Sequence, residues 1–200
     1  MNKFFEVLGK VTDILYLSIL WLVFSLPLIT IGASTTALYH SVVKVFLDDR
    51  GYITKEFWSA FKSNFKQSTI VWLLVLLISG VVVIDFLILK NLISDTLYNV
   101  LLVVLIYVLI NLIMFINCLF PSIARFNTTL KQLYMNSFVI IMANLPWNLL
   151  VLLMFAATVL IVWFVPITIV FMPAVYMIGA SKIFEHIFKK YYKTEEQEQC

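Results

Sequence analysis

The stretch "SLPLITIGASTTALYH" (residues 25–40) starts inside an apolar run and ends on a histidine. Between lie a proline, a glycine and several hydroxyl side chains. Two readings give two folds. In one, a single membrane helix ends near Ala33; in the other, the "LPLIT" corner joins two helices, 4–26 and 31–47, into a hairpin.

The surroundings restrict the choice to helices in a membrane. The 200 residues are 62% hydrophobic and 12% charged, against roughly 45–50% and 25% in soluble domains. Runs such as "IVWLLVLLISGVVVIDFLIL" (70–89) are apolar on every face, unlike the alternating strands of a barrel. A helix satisfies its own backbone in lipid. The expected class is therefore all-α, a polytopic transmembrane helix bundle in one domain, 1–200. Glu6 and Asp13 lie in the segment ahead of the first run, which argues against a cleaved signal peptide.

Apolar runs fall at 14–34, 69–89, 97–120 and 137–181. The last is too long for one crossing of a core about 30 Å thick, and Pro166 is where a helix ladder breaks. Beyond the hairpin the expected membrane helices are thus 69–90, 97–120, 137–163 and 167–188, with a tail at 189–200. Lys and Arg near membrane segments stay on the cytoplasmic side. With six crossings and both termini inside, thirteen of the fourteen are cytoplasmic, Lys90 being the exception; with five, eleven are. The count favours six, with five as the alternative. In the six-crossing bundle the hydroxyl-rich second helix faces other helices rather than lipid.

Between the hairpin and the next crossing, 55–67 reads as an amphipathic interfacial helix. Phe57, Trp58, Phe61 and Phe65 share one arc, and Lys55, Lys62 and Lys66 lie beside it. Asp48, Asp49 and Gly51 form the preceding turn, and Thr54 is a helix N-cap. The rings would enter the headgroup boundary while the lysines meet anionic inner-leaflet lipid; a partner-docking surface is the other use of such a face.

Few polar groups fall inside the runs. Asp85 lies near the Lys90 end of its helix, and Asn111 sits near the middle of its own. "MANLPWNLL" (142–150) places Asn144 and Asn148 on one face beside Pro146. Asp85, Asn111, Asn144 and Asn148 are the candidate polar path of a small-solute carrier, or else interhelical hydrogen bonding. Pro27, Gly32, Pro166 and Gly179 are corner and packing positions. The "IGAS" at 31–34 recurs at 178–181, each time after a proline, Pro27 or Pro173.

No enzyme is indicated. His40 and His186 lack partners at metal-ligand spacing, and no Gly-rich phosphate loop or serine-nucleophile motif occurs. Cys118 and Cys200 support neither a disulfide framework nor a cysteine metal site. No basic patch interleaved with aromatics points to nucleic acid, and no cofactor is called for.

Residues 25–69 resemble the YesL-like (DUF624) family of bacterial integral membrane proteins, a class of unknown function. The resemblance rests on "LPLITIGAS", then "TTALY", then "FWSAFKSNFKQS", in that order and spacing. It implies a multi-pass protein of the bacterial cell membrane. Family members are often encoded beside carbohydrate ABC-importer genes, which implies an accessory to sugar uptake whose partners are the importer's permease subunits. It brings no catalytic residues.

Overall fold

The structure is a computed structural model describing residues 3–89, 95–126 and 129–198. Lys90, the one expected outer lysine, lies outside them. Among the described residues the chain is helical, without a strand. The helices are α1 (Lys3–Ser25), α2 (Ile31–Val42), α3 (Ile53–Leu89), α4 (Asp95–Arg125), α5 (Leu130–Ala143), α6 (Leu145–Phe164) and α7 (Met172–Glu198).

The hairpin reading of 25–40 is correct. α1 stops at Ser25, Leu28–Thr30 makes one tight 3-10 turn, and α2 starts at Ile31. The Thr30 hydroxyl fixes the corner by donating to the carbonyls of Phe24 (2.6 Å) and Pro27 (2.7 Å). α2 then runs through the centre of the bundle against α1, α3, α4 and α7. It ends in a widened π-type turn, Val43–Leu47, before Asp49 and Gly51 reverse the chain at positive φ.

Small and hydroxyl residues make that central path possible. Gly32, Ala33, Ser34, Thr36, Ala37 and Ser41 are all buried. Small side chains let helices approach closely where apolar burial gives little net drive between them. Thr36 and Ser41 donate back to carbonyls four residues earlier, and the Thr36 and Ser68 hydroxyls pair at 2.9 Å.

Several expectations are corrected. Residues 55–67 are not a separate interfacial helix but the first four turns of the 37-residue α3. They hold their place because Phe57 (1% exposed) and Phe61 (8%) pack into the protein core rather than into headgroups. The Phe24 ring lies 5.6 Å from Phe57 and 5.1 Å from Phe61. Thr54 pairs its hydroxyl with Tyr16 at 2.9 Å instead of capping the helix.

The single helix expected over 137–163 is two, α5 and α6. Asn144 leaves helical geometry (φ −129°, ψ 40°) two residues before Pro146, because proline disfavours the helical conformation in the residues leading into it. Upstream, α5 begins at Leu130, where the Gln132 carboxamide oxygen accepts from the Thr129 N–H (3.3 Å) and hydroxyl (2.9 Å). Pro166 does divide the long apolar stretch, in a 3-10 turn over Pro166–Val170. α4 continues to Arg125 through Pro121, and α7 stays helical to Glu198, across most of the expected tail.

Among the described residues, fewer than six helices have spanning length. Four described segments are long and apolar enough to cross a membrane: Leu8–Ser25, Ile53–Phe86, Tyr98–Arg125 and Leu145–Phe164. α2 is too short at 12 residues, and α7 carries its lysines and glutamates within the helix.

Gly32 and Gly179, the two "IGAS" glycines, separate in consequence. A Cβ on Gly32 would lie 2.7 Å from the Ser68 carbonyl oxygen and 2.8 Å from the Trp72 Cβ, whereas one on Gly179 would meet the end of the Met154 side chain. A backbone carbonyl cannot step aside, and a methionine can. Gly32→Ala is expected to destabilise the protein by about 1–3 kcal/mol and Gly179→Ala by less than about 1, read as thermal midpoints in detergent.

Candidate functional site

Two features bring polar chemistry into the bundle. The first joins three helices near the lysine-bearing end. Glu185 of α7, 6% exposed, accepts from the Tyr39 hydroxyl of α2 at 2.9 Å and pairs with the Arg125 guanidinium of α4 at 3.0 Å. Arg125 and Glu185 carry opposite charges in an otherwise apolar setting, so each offsets the desolvation of the other. Nearby, His40 lies 3.4 Å from Glu56 and Lys44 lies 3.7 Å from Asp48.

The second feature is a cavity of about 730 Å³ walled by α1, α2, α3, α4, α6, the Pro166 turn and α7. This is within the roughly 300–1,000 Å³ of small-molecule sites. Its wall is aliphatic, aromatic, proline and methionine apart from a few polar side chains. The Trp21 indole N–H donates to the Thr35 hydroxyl at 3.2 Å, and Thr35 donates to the Ile31 carbonyl. Trp72 N–H donates to the Leu28 carbonyl at 2.6 Å. Tyr176 donates to the Asn117 Oδ1 at 2.7 Å, while the Asn117 amide donates to the Ile113 carbonyl. Thr158 donates to the Met154 carbonyl.

The residues singled out from sequence fall largely elsewhere. Asp85, Asn111, Asn144 and Asn148 do not line this cavity. The amides of Asn111, Asn144 and Asn148 donate to carbonyls four residues back in the chain, those of Tyr107, Ile140 and Asn144. Asp85 is exposed on the far part of α3. Trp147, on the face beside Asn148, packs against His186 at 5.7 Å. Lys55, Trp58, Lys62, Phe65 and Lys66 are exposed on α3, with the Lys62 ammonium 4.8 Å above the Trp58 ring. Pro166 lines the cavity, and Gly32 sits at the α2–α3 contact. No group of three or more His, Cys, Asp or Glu that could hold a metal occurs among the described residues.

Sequence reasoning passed over Tyr39, Arg125, Glu185, Asn117 and Tyr176. A signal for Glu185 existed. It is the only acidic residue between Asp95 and Glu195, and it lies beside Phe184 and one turn before Phe188, on the buried arc of an amphipathic helix. Asn117 carried no such signal, since an amide in an apolar run looks the same whether it faces a cavity or its own backbone.

With this geometry in view, comparison with known proteins is narrow. Residues 14–86 match the family model described as "Protein of unknown function, DUF624". That segment, 73 of the 200 residues, is similar to DUF624 proteins. The matched segment covers α1 from Ile14, α2, and α3 to Phe86, so the central helix and its Gly32 contact belong to it, whereas Arg125 and Glu185 do not. No curated protein and no solved structure matches the chain.

Removing Arg125 tests the ion pair. A fully buried pair broken on one side costs about 3–5 kcal/mol, and Arg125 is partly solvated at 31% side-chain exposure. Arg125→Leu is expected to cost about 2 kcal/mol in thermal unfolding, with part of the loss recovered in Arg125→Leu/Glu185→Leu, which leaves no buried charge.

Proposed function

We propose that this chain is a non-enzymatic membrane accessory that works by packing against another membrane protein and displaying the first turns of α3 to the cytoplasm. The observation that carries this reading is the state of the amides within the apolar runs. A carrier of polar solutes needs intramembrane polar groups converging on a path. Here Asn111, Asn144 and Asn148 bond back along the chain, and the cavity's polar side chains, the exposed Trp163 indole aside, are bonded within the protein.

The exposed half of the α3 start supplies a surface. Lys55, Lys62 and Lys66 stand there with Trp58 and Phe65, and Phe57 and Phe61 anchor the segment below them. A rigid basic-aromatic face suits an acidic protein surface or an anionic headgroup layer. The family resemblance, with its gene neighbours, is the ground for naming carbohydrate importer permease subunits of a bacterial cell membrane as the partner, with both termini of this chain cytoplasmic.

The tagged full-length chain is expected to co-purify with permease subunits in mild detergent, and Lys62→Glu/Lys66→Glu to weaken that recovery. Repeated isolation of the chain alone would overturn the reading. So would sugar uptake by proteoliposomes holding this chain alone.

A further inference from the structure

In each of the two hairpins that wall the cavity one arm is shorter than the membrane core: α2, of 12 residues, and the charge-free start of α7. The α1–α2 corner is tied to α3 by the Trp72 bond to the Leu28 carbonyl. Trp72 is six residues past Lys66, about 9 Å along the helix, and seventeen before Leu89, about 25 Å. The α6–α7 corner is tied to α1 at Ser18, seven residues before that helix ends at Ser25. Ser18 of α1 donates to the Phe171 carbonyl at 3.2 Å and accepts from the Ala174 N–H at 3.2 Å. From Phe171 to Lys182 is eleven residues, about 16 Å. Against a hydrocarbon core of about 30 Å, these distances are short.

Above that level α3 and α4 run on with little cover. No residue from 76 to 86 on α3, or from 98 to 117 on α4, is buried, and the Phe86 and Tyr98 rings pair at 5.9 Å near the tip. The corners themselves are greasy and bare: Leu28 is 72% exposed and Ile167 is 74%. No Asp, Glu, Lys or Arg occurs from 14 to 43 or from 132 to 181. A corner standing in water would be polar. One standing in hydrocarbon would look like these.

We infer that both hairpins turn back inside the bilayer and that the cavity between them holds an acyl chain of a membrane phospholipid. Paired short, proline-interrupted hydrophobic segments flank binding sites in other membrane folds. Here the pair encloses a space reached from hydrocarbon, without charge, whose polar groups are already bonded. A sugar would lose its hydration against walls that return few hydrogen bonds. An acyl chain loses nothing polar and fills a void whose lining otherwise lacks contacts. Trp21, Trp72 and Tyr176 give it flat apolar walls, and Val162 and Ala180 line it as well. This inference is independent of any importer.

The test uses the full-length chain in detergent with Trp58, Trp147 and Trp163 replaced by Phe, leaving Trp21 and Trp72 on the cavity wall. Phosphatidylglycerol brominated midway along one chain is titrated in. Saturable fluorescence quenching near one lipid per protein is expected, lost in Val162→Phe and in Ala180→Leu, either variant sufficing if the other misfolds. Quenching that rises without saturation and ignores both substitutions would mean surrounding lipid only and would overturn the site. Depth is tested in intact cells with Cys118 and Cys200 replaced by Ala. A membrane-impermeant maleimide is expected to label Asp85→Cys but neither Leu28→Cys nor Ile167→Cys; outside labelling of the latter two would place the corners in water and overturn the inference.

Discussion

At Gly32 the α2 backbone comes so close to α3 that even a methyl group would collide with the Ser68 carbonyl. The rest of the bundle is arranged around that contact. With α2 held on α3, the Thr36 hydroxyl reaches Ser68, the Leu28 carbonyl reaches Trp72, and α2 is left in the centre with α1, α4 and α7 around it. Helices in lipid gain little from burying apolar surface against one another, so close backbone approach and hydrogen bonds between hydroxyls must hold them. The run of Gly, Ala, Ser and Thr in α2 supplies both. A helix of leucines there would be pushed outward, and the cavity bounded by its Ile31, Thr35 and Leu38 would have no inner wall.

The Tyr39–Glu185–Arg125 cluster works at the other end of the same helix. It links α2, α4 and α7 near the lysine-bearing side, where a salt bridge costs less desolvation than it would deeper in hydrocarbon. Two of its three residues come from beyond the matched family segment. The C-terminal half is therefore fastened to the matched segment by a directional contact as well as by packing. Ser18, bonded to Phe171 and Ala174, makes a second such link higher up.

Charge counting bears on the parity of the chain but not on the depth of its turns. A hairpin that crosses twice and a hairpin that turns back halfway return to the same side, so both leave thirteen lysines and arginines together. Length was the better guide. α2 is 12 residues long, and its corner meets α3 at Trp72, well short of Leu89. The amphipathic arc of 55–67 misled for a similar reason: periodicity places Phe57 and Phe61 on one face without saying whether lipid or Phe24 covers it.

Composition and local chemistry alone determined that the chain is helical and built for a membrane, that "LPLIT" is a corner, and that Pro166 breaks the last apolar stretch. These follow from backbone satisfaction in lipid and from proline geometry, which act within a few residues. Local rules also held the break at Asn144, since Pro146 is enough to cause it. Only the tertiary structure decided which polar groups matter. Asn111 and Asn117 lie six residues apart on α4 with the same amide chemistry, yet Asn117 meets Tyr176 and the cavity while Asn111 is exposed and bonds back to Tyr107. How far each hairpin climbs is set by contacts between distant segments, and no single segment carries that height in its own sequence.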